Sequence, residues 1–149
     1  MSEKITAPVD ITALARYLDK VKDIASINRM MGAIYLKDFI EGQDVAGVLL
    51  AKAIQADVKA KARLEQAESF AYLDKASDFL KEKGVKDTSE ARKMYINLDS
   101  DVMKAADDKA RTEAMVTLLK NKLSILRQAH DDVKRILYTD QYQTPYEGM

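Results

Sequence analysis

Between Ser100 and Tyr138 apolar residues recur at steps of three and four: Val102, Ala105, Val116, Leu119, Leu123, Leu126, Val133 and Leu137. This is a heptad seam, and Lys109, Thr112 and His130 interrupt it without moving its phase. A second row, Met115, Leu118, Ile125, Ala129 and Ile136, lies beside the first and widens the stripe. Such width suits a helix packed against more than one neighbour rather than a two-stranded zipper. No Gly or Pro occurs between Gly84 and Pro145. The pattern predicts one long helix of about 55–60 Å at 1.5 Å per residue, too long to wrap around a small private core. It is therefore expected to be an assembly helix. Val116, Leu119, Leu123, Leu126, Val133 and Leu137 would pack against other copies. His130 fits a polar layer that sets register, or alternatively a pH switch.

The rest of the chain also reads as helix. Residues 1–9 form a short arm closed by Pro8, after which Asp10 can cap a first helix carrying Leu14, Leu18 and Val21 on one face. Ser26 and Asn28 suggest a break or restart. A second helix with Met30, Met31, Ile34 and Leu36 is expected to end near Gly42. A third opens at Asp44 and runs to Lys83, where Gly84 is a natural stop. Its apolar side comprises Val48, Leu49, Ile54, Val58, Leu64, Phe70, Leu73 and Leu80. Asp87-Thr88-Ser89-Glu90 places a hydroxyl cap and an acid at the start of a further helix through Leu98. Asn97, Asp99 and Ser100 then favour a kink before the seam. After Tyr138 the periodicity fades, so residues 139–149 are expected to be a flexible tail. The fold class is all-α: one helical domain over 1–149, elongated and oligomerising by helix packing.

Composition narrows the possible functions. The chain has 149 residues, no cysteine and one histidine, so a disulfide framework, a His/Cys metal site or a Cys–His pair is not available within one chain. The glycines stand apart and form no phosphate-cradling loop. The acid pairs Asp99/Asp101 and Asp107/Asp108 fit helix-start capping and solvated surface better than a hard-cation site. No catalytic residue, metal or cofactor is expected. The N-terminus lacks a signal-peptide core, and the most apolar run, Val45–Ala51, is far too short to span a bilayer. A cytoplasmic location without membrane contact follows as an expectation.

Twenty-four basic residues balance twenty-four acidic ones. A nucleic-acid role must then rest on local clustering, because such affinity comes largely from phosphate contacts. One cluster exists: Lys52, Lys59, Lys61 and Arg63, opposed only by Asp57. At 100° per residue Lys52, Lys59 and Arg63 share one narrow stripe with Gln55 and Gln66, whereas Lys61 projects to nearly the opposite side. The stripe can track a phosphate backbone, but its spacing alone favours an ordinary solvated face. Phe70 and Tyr72 follow it; base stacking is open to them, but Phe70 and Leu73 at helical spacing fit a core.

Two blocks resemble a known family. Val58-Lys59-Ala60-Lys61-Ala62-Arg63-Leu64 is similar to the Leu-Lys-Ala-Arg-Leu motif of UvsY-type phage recombination mediators, with Ala60 replacing the first leucine. Asp99-Ser100-Asp101-Val102-Met103-Lys104 resembles that family's Asp-x-Asp-Val-x-Lys block, which also precedes a long apolar helix. Order and approximate spacing agree over about Leu49 to Ile136. The chain departs from the family in having no tryptophan in the last helix, a longer segment between the blocks and a balanced charge.

The resemblance implies an all-helical protein that forms ring-like homo-oligomers and binds single-stranded DNA. It also implies loading of a RecA-type recombinase onto DNA coated by single-strand-binding protein, in a host cytoplasm if phage-encoded. Lys61 and Arg63 would contact DNA by that resemblance; Lys52 and Lys59 join them from the helical stripe. The alternative is a structural coiled-coil scaffold that touches no DNA.

Overall fold

A computed structural model of the chain describes the backbone of residues 9–143 and the side chains of residues 9–139. The architecture is all-α. A short 3-10 turn, Thr12–Leu14, leads into α1 (Ala15–Val21), and a second, Ile24–Ser26, precedes α2 (Arg29–Phe70). A π-helical turn at Ala71–Lys75 passes directly into α3 (Ala76–Glu82). Then come α4 (Ser89–Ile96) and α5 (Ser100–Gln143). Residues group into two compact units: Met1–Lys52 with Thr117–Met149, and Ala53–Val116.

Helix ends follow their local chemistry. Asp10 Oδ1 accepts from the Thr12 amide at 2.9 Å, and Asn28 Oδ1 accepts from Met31 N at 2.9 Å, starting α2. The Thr88 hydroxyl accepts from Ala91 N at 3.1 Å to cap α4. Asp99 Oδ1 accepts from Asp101 N and Val102 N at 3.0 and 3.1 Å, so α5 begins where its acid cap stands. Gly84 has φ +66°, the left-handed conformation that closes a helix at low cost only for glycine. Of the expected arm, Val9 is buried and residues 1–8 lie outside the described residues. Part of the expected tail is helical, since α5 continues to Gln143; residues 144–149 lie outside.

In the first unit, Gly32 sits against Leu137 and Gly42 against Tyr17 and Leu126. Advancing along α2 thus means retreating along α5, and the two run antiparallel here. The expected helix end near Gly42 is corrected by this contact. A Cβ at position 42 would lie 3.0 Å from Tyr17 Cγ and 3.3 Å from Leu126 Cδ1, so the glycine serves close approach and α2 runs straight through it. Phe39, Leu14, Leu119, Leu126 and Val133 are the largest fully buried side chains. Lys20 pairs with the buried Asp38 at the edge of this core, its ammonium also 5.7 Å from the Tyr35 ring.

The seam of α5 therefore has a partner within the chain. Leu119, Leu126 and Val133 are sealed inside the protomer, and a side chain with no exposed surface cannot also meet another copy. Val116, Leu123, His130 and Leu137 are half-buried. The assembly reading is corrected only at Leu119, Leu126 and Val133; α2, which the expected break at Gly42 had divided, meets the seam at Leu126 and Leu137. Leu126→Ala should cost about 2–5 kcal/mol by leaving a cavity, whereas Ile125→Ala, 41% exposed, should cost under about 1 kcal/mol. Urea unfolding of both variants checks this, and the gap between them should not change on tenfold dilution of the protein.

Candidate nucleic-acid interface

Lys59, Lys61 and Arg63 are exposed on the part of α2 that belongs to the second unit. The packed side of this stretch is marked by buried Ala60 and Ala71 and half-buried Asp57, Leu64 and Ala67. Lys59 and Arg63 lie on one flank of that side, within about 40° of each other by helical rotation. Gln66 and Phe70, both exposed, continue the same flank. The acids of the stretch, Glu65 and Glu68, lie about 140–160° away from Phe70.

Lys61 occupies the opposite flank with Asp57, whose carboxyl its charge helps to hold low. The main causes of that lowering are the hydrogen bonds from Lys109 Nζ and Thr112 Oγ1, each 2.8 Å. Lys109 is raised in return, chiefly by Asp57. Two of the seam's three polar interruptions are thereby explained, because Lys109 and Thr112 bind α5 to α2 through one carboxylate. No ion pair is formed by Lys59, Lys61 or Arg63 among the described residues. Lys52 is also exposed but falls in the first unit, so the structure does not join it to this strip.

Beyond Phe70 the helix changes pitch. Buried or half-buried positions run Ala60, Leu64, Ala67 and Ala71, and a regular continuation would carry Lys75 into the core. The π turn inserts one residue, Ala76 takes the buried place, and Leu80 follows four later. Lys75 is displaced to the edge. Its ammonium lies 3.2 Å from Asp99 Oδ2 and 2.6 Å from Asp101 Oδ2, and 5.4 Å from the centre of the Phe70 ring. Tyr95 donates its hydroxyl to Asp99 Oδ2 at 2.8 Å. Arg92 clamps both oxygens of Asp87 and donates to the Tyr72 carbonyl within the π turn at 3.0 Å.

Phe70 is 52% exposed and Leu73 66% exposed, against their expected place in the core. The physical reason is the phase of the packed face: Ala67 and Ala71 hold it, and the π turn moves it on to Ala76. One signal in the sequence marks this, the lysine standing where the stripe Ala60–Leu64–Ala67–Ala71 calls for an apolar residue.

Among the described residues no three or more His, Cys, Asp or Glu side chains are grouped to hold a metal ion. Nor is any described helix long and apolar enough to cross a membrane. His130 Nδ1 lies 3.4 Å from Asp131 Oδ1, beside it in sequence. Tyr138 is half exposed, while the side chains of Tyr142 and Tyr146 lie outside those described. No family model, curated protein or solved structure matches the chain.

The carboxylate network gives the second unit a defined acid response. Burial acts most strongly on Asp99 and favours its neutral form. The Tyr95 hydroxyl, the Val102 amide and Lys75 together outweigh it, and its pKa is lowered. A carboxyl lowered in the folded state contributes stability above its unfolded value of about 3.9 and loses it as pH falls through the folded value. Asp57 follows the same sign. These two groups should therefore leave the urea midpoint flat from about pH 5 to 7 and lower it below about pH 4. Asp99→Asn should lower the midpoint at pH 7 and flatten its acid limb, measured by the same titration across pH.

Proposed function

We propose that this chain is a non-enzymatic single-stranded-DNA-binding protein of the recombination-mediator type, acting as a homo-oligomer. The observation that carries the DNA-binding part is the strip of Lys59 and Arg63: two exposed cations on one helix flank, free of ion pairs among the described residues, with no acid of α2 beside them. Neighbouring cations are engaged otherwise, Lys75 with Asp99 and Asp101, Arg92 with Asp87, and Lys109 with Asp57. The loading of a RecA-type recombinase onto DNA coated by single-strand-binding protein rests on the two motif blocks that resemble the mediator family. Lys61 contributes from the other flank, as a weaker partner compensated by Asp57.

Two cations per chain bind weakly, and repetition around an oligomer raises the effective concentration of strip for one strand. Surface for such assembly remains on α2, where Ile54 and Val58 are 43% and 63% exposed on a side away from the strip. The same two residues favour a second reading, a helical scaffold without nucleic acid. The readings part on one measurement: fluorescence anisotropy of a labelled single-stranded oligonucleotide at low and near-physiological salt. The mediator reading expects salt-sensitive binding that exceeds binding to duplex. Lys59→Ala with Arg63→Ala should weaken it at least tenfold and reduce the slope of log affinity against log salt by about 1–1.5, with the oligomer intact. Lys61→Ala should do less. Absence of single-strand binding by an intact oligomer at low salt would leave the scaffold reading alone.

A further inference from the structure

Resting on that reading, we infer that Phe70 is the base-stacking platform of the strip, so that phosphates follow Lys59 and Arg63 while a base lies on the ring. Four observations support the assignment. Phe70 is 52% exposed, a large aromatic surface left open on a stretch of α2 that buries Ala60 and Ala71 instead. It shares the flank of Lys59 and Arg63 and stands about 16 Å from Lys59 along the axis.

Its ring is also held. The Lys75 ammonium rests 5.4 Å from the ring centre, and Asp99 and Asp101 pin that ammonium at 3.2 and 2.6 Å. A contact of this kind fixes the side chain before any ligand arrives, which lowers the ordering cost of stacking. The charge near the ring matches a base rather than a phosphate. Two carboxylates against one ammonium leave that end without surplus positive charge, so a neutral aromatic face suits it and the anionic backbone suits Lys59 and Arg63. Stacking of this type prefers single strands, whose bases are free to leave one another.

The test uses the full-length protein and a labelled single-stranded DNA oligonucleotide, with an abasic oligonucleotide of equal length and a duplex as controls. Phe70→Ala should weaken binding to the single strand on the order of tenfold, leave the salt slope unchanged, and have little effect on the abasic strand. Phe70→Leu, which keeps apolar bulk without a ring, should also bind weakly. Phe70→Trp should retain affinity. Because the chain has no other tryptophan, the emission of that variant reports the site alone and should be quenched by the normal strand but not by the abasic one. Wild-type binding with Phe70→Ala binding equally well, or Phe70→Trp emission indifferent to DNA, would overturn the stacking assignment and leave the DNA-binding reading standing. Loss of the oligomer in Phe70→Ala, read by sedimentation, would overturn it in favour of self-association through the ring. Failure of the wild-type protein to bind single strands would remove both.

Discussion

The second unit depends on one carboxylate. Asp99 caps α5 through two backbone amides, receives the Tyr95 hydroxyl from α4, and holds the Lys75 ammonium from the π turn. The π turn, α4 and the start of α5 are thus oriented by one side chain, itself only 4% exposed. A buried charge is tolerated when its lone pairs are filled, and here they are. The π turn is the matching constraint from the other side. It keeps the alanine stripe of α2 in phase with the core while presenting Lys75 to that carboxylate, and Arg92 supplies a donor to a carbonyl within the turn.

Much of this was legible from local chemistry. The caps at Asp10, Asn28, Thr88 and Asp99 and the stop at Gly84 are short-range effects of side-chain oxygens and of positive φ, and the all-α class follows from periodicity. Gly42 shows where such reasoning ends. Glycine in a helix costs roughly 1 kcal/mol by propensity and so resembles a terminator. Against Tyr17 and Leu126, however, it is the residue that allows two helices and a third element to approach. Only the partner distinguishes a glycine that stops a helix from one that admits a neighbour. The same gap hid the identity of the seam's partner: a heptad pattern states that a helix is packed but not whether the partner belongs to the same chain.

The candidate strip was legible in part. Rotation along the helix separates Lys61 from Lys59 and Arg63 without any coordinates, and the structure adds the reason that matters, the Asp57 carboxylate on the side of Lys61. The exposure of Phe70 was not legible: rotation sets it beside Lys59 and Arg63 but does not say which side of α2 the fold packs, and that side is held by Ala60, Leu64, Ala67 and Ala71. Past Ala71 the π turn moves the packed face on to Ala76, five residues later rather than four.

Net charge is a poor guide to this molecule because its acids and bases are not mixed at random. Asp38, Asp57, Asp87 and Asp99 are engaged within the fold by Lys20, Lys109, Arg92 and Lys75. Each such pair cancels locally, and screening removes most of its field beyond about 8 Å at physiological salt. What a strand would meet on the flank of α2 is therefore set by Lys59 and Arg63 and not by the overall balance. Two charges supply steering and a modest, salt-sensitive grip, whereas stacking is nearly indifferent to salt. A surface that combines one ring with two cations would hold single strands under conditions in which cations alone release them. On the proposed reading, that combination is the physical route by which a neutral chain would hold nucleic acid.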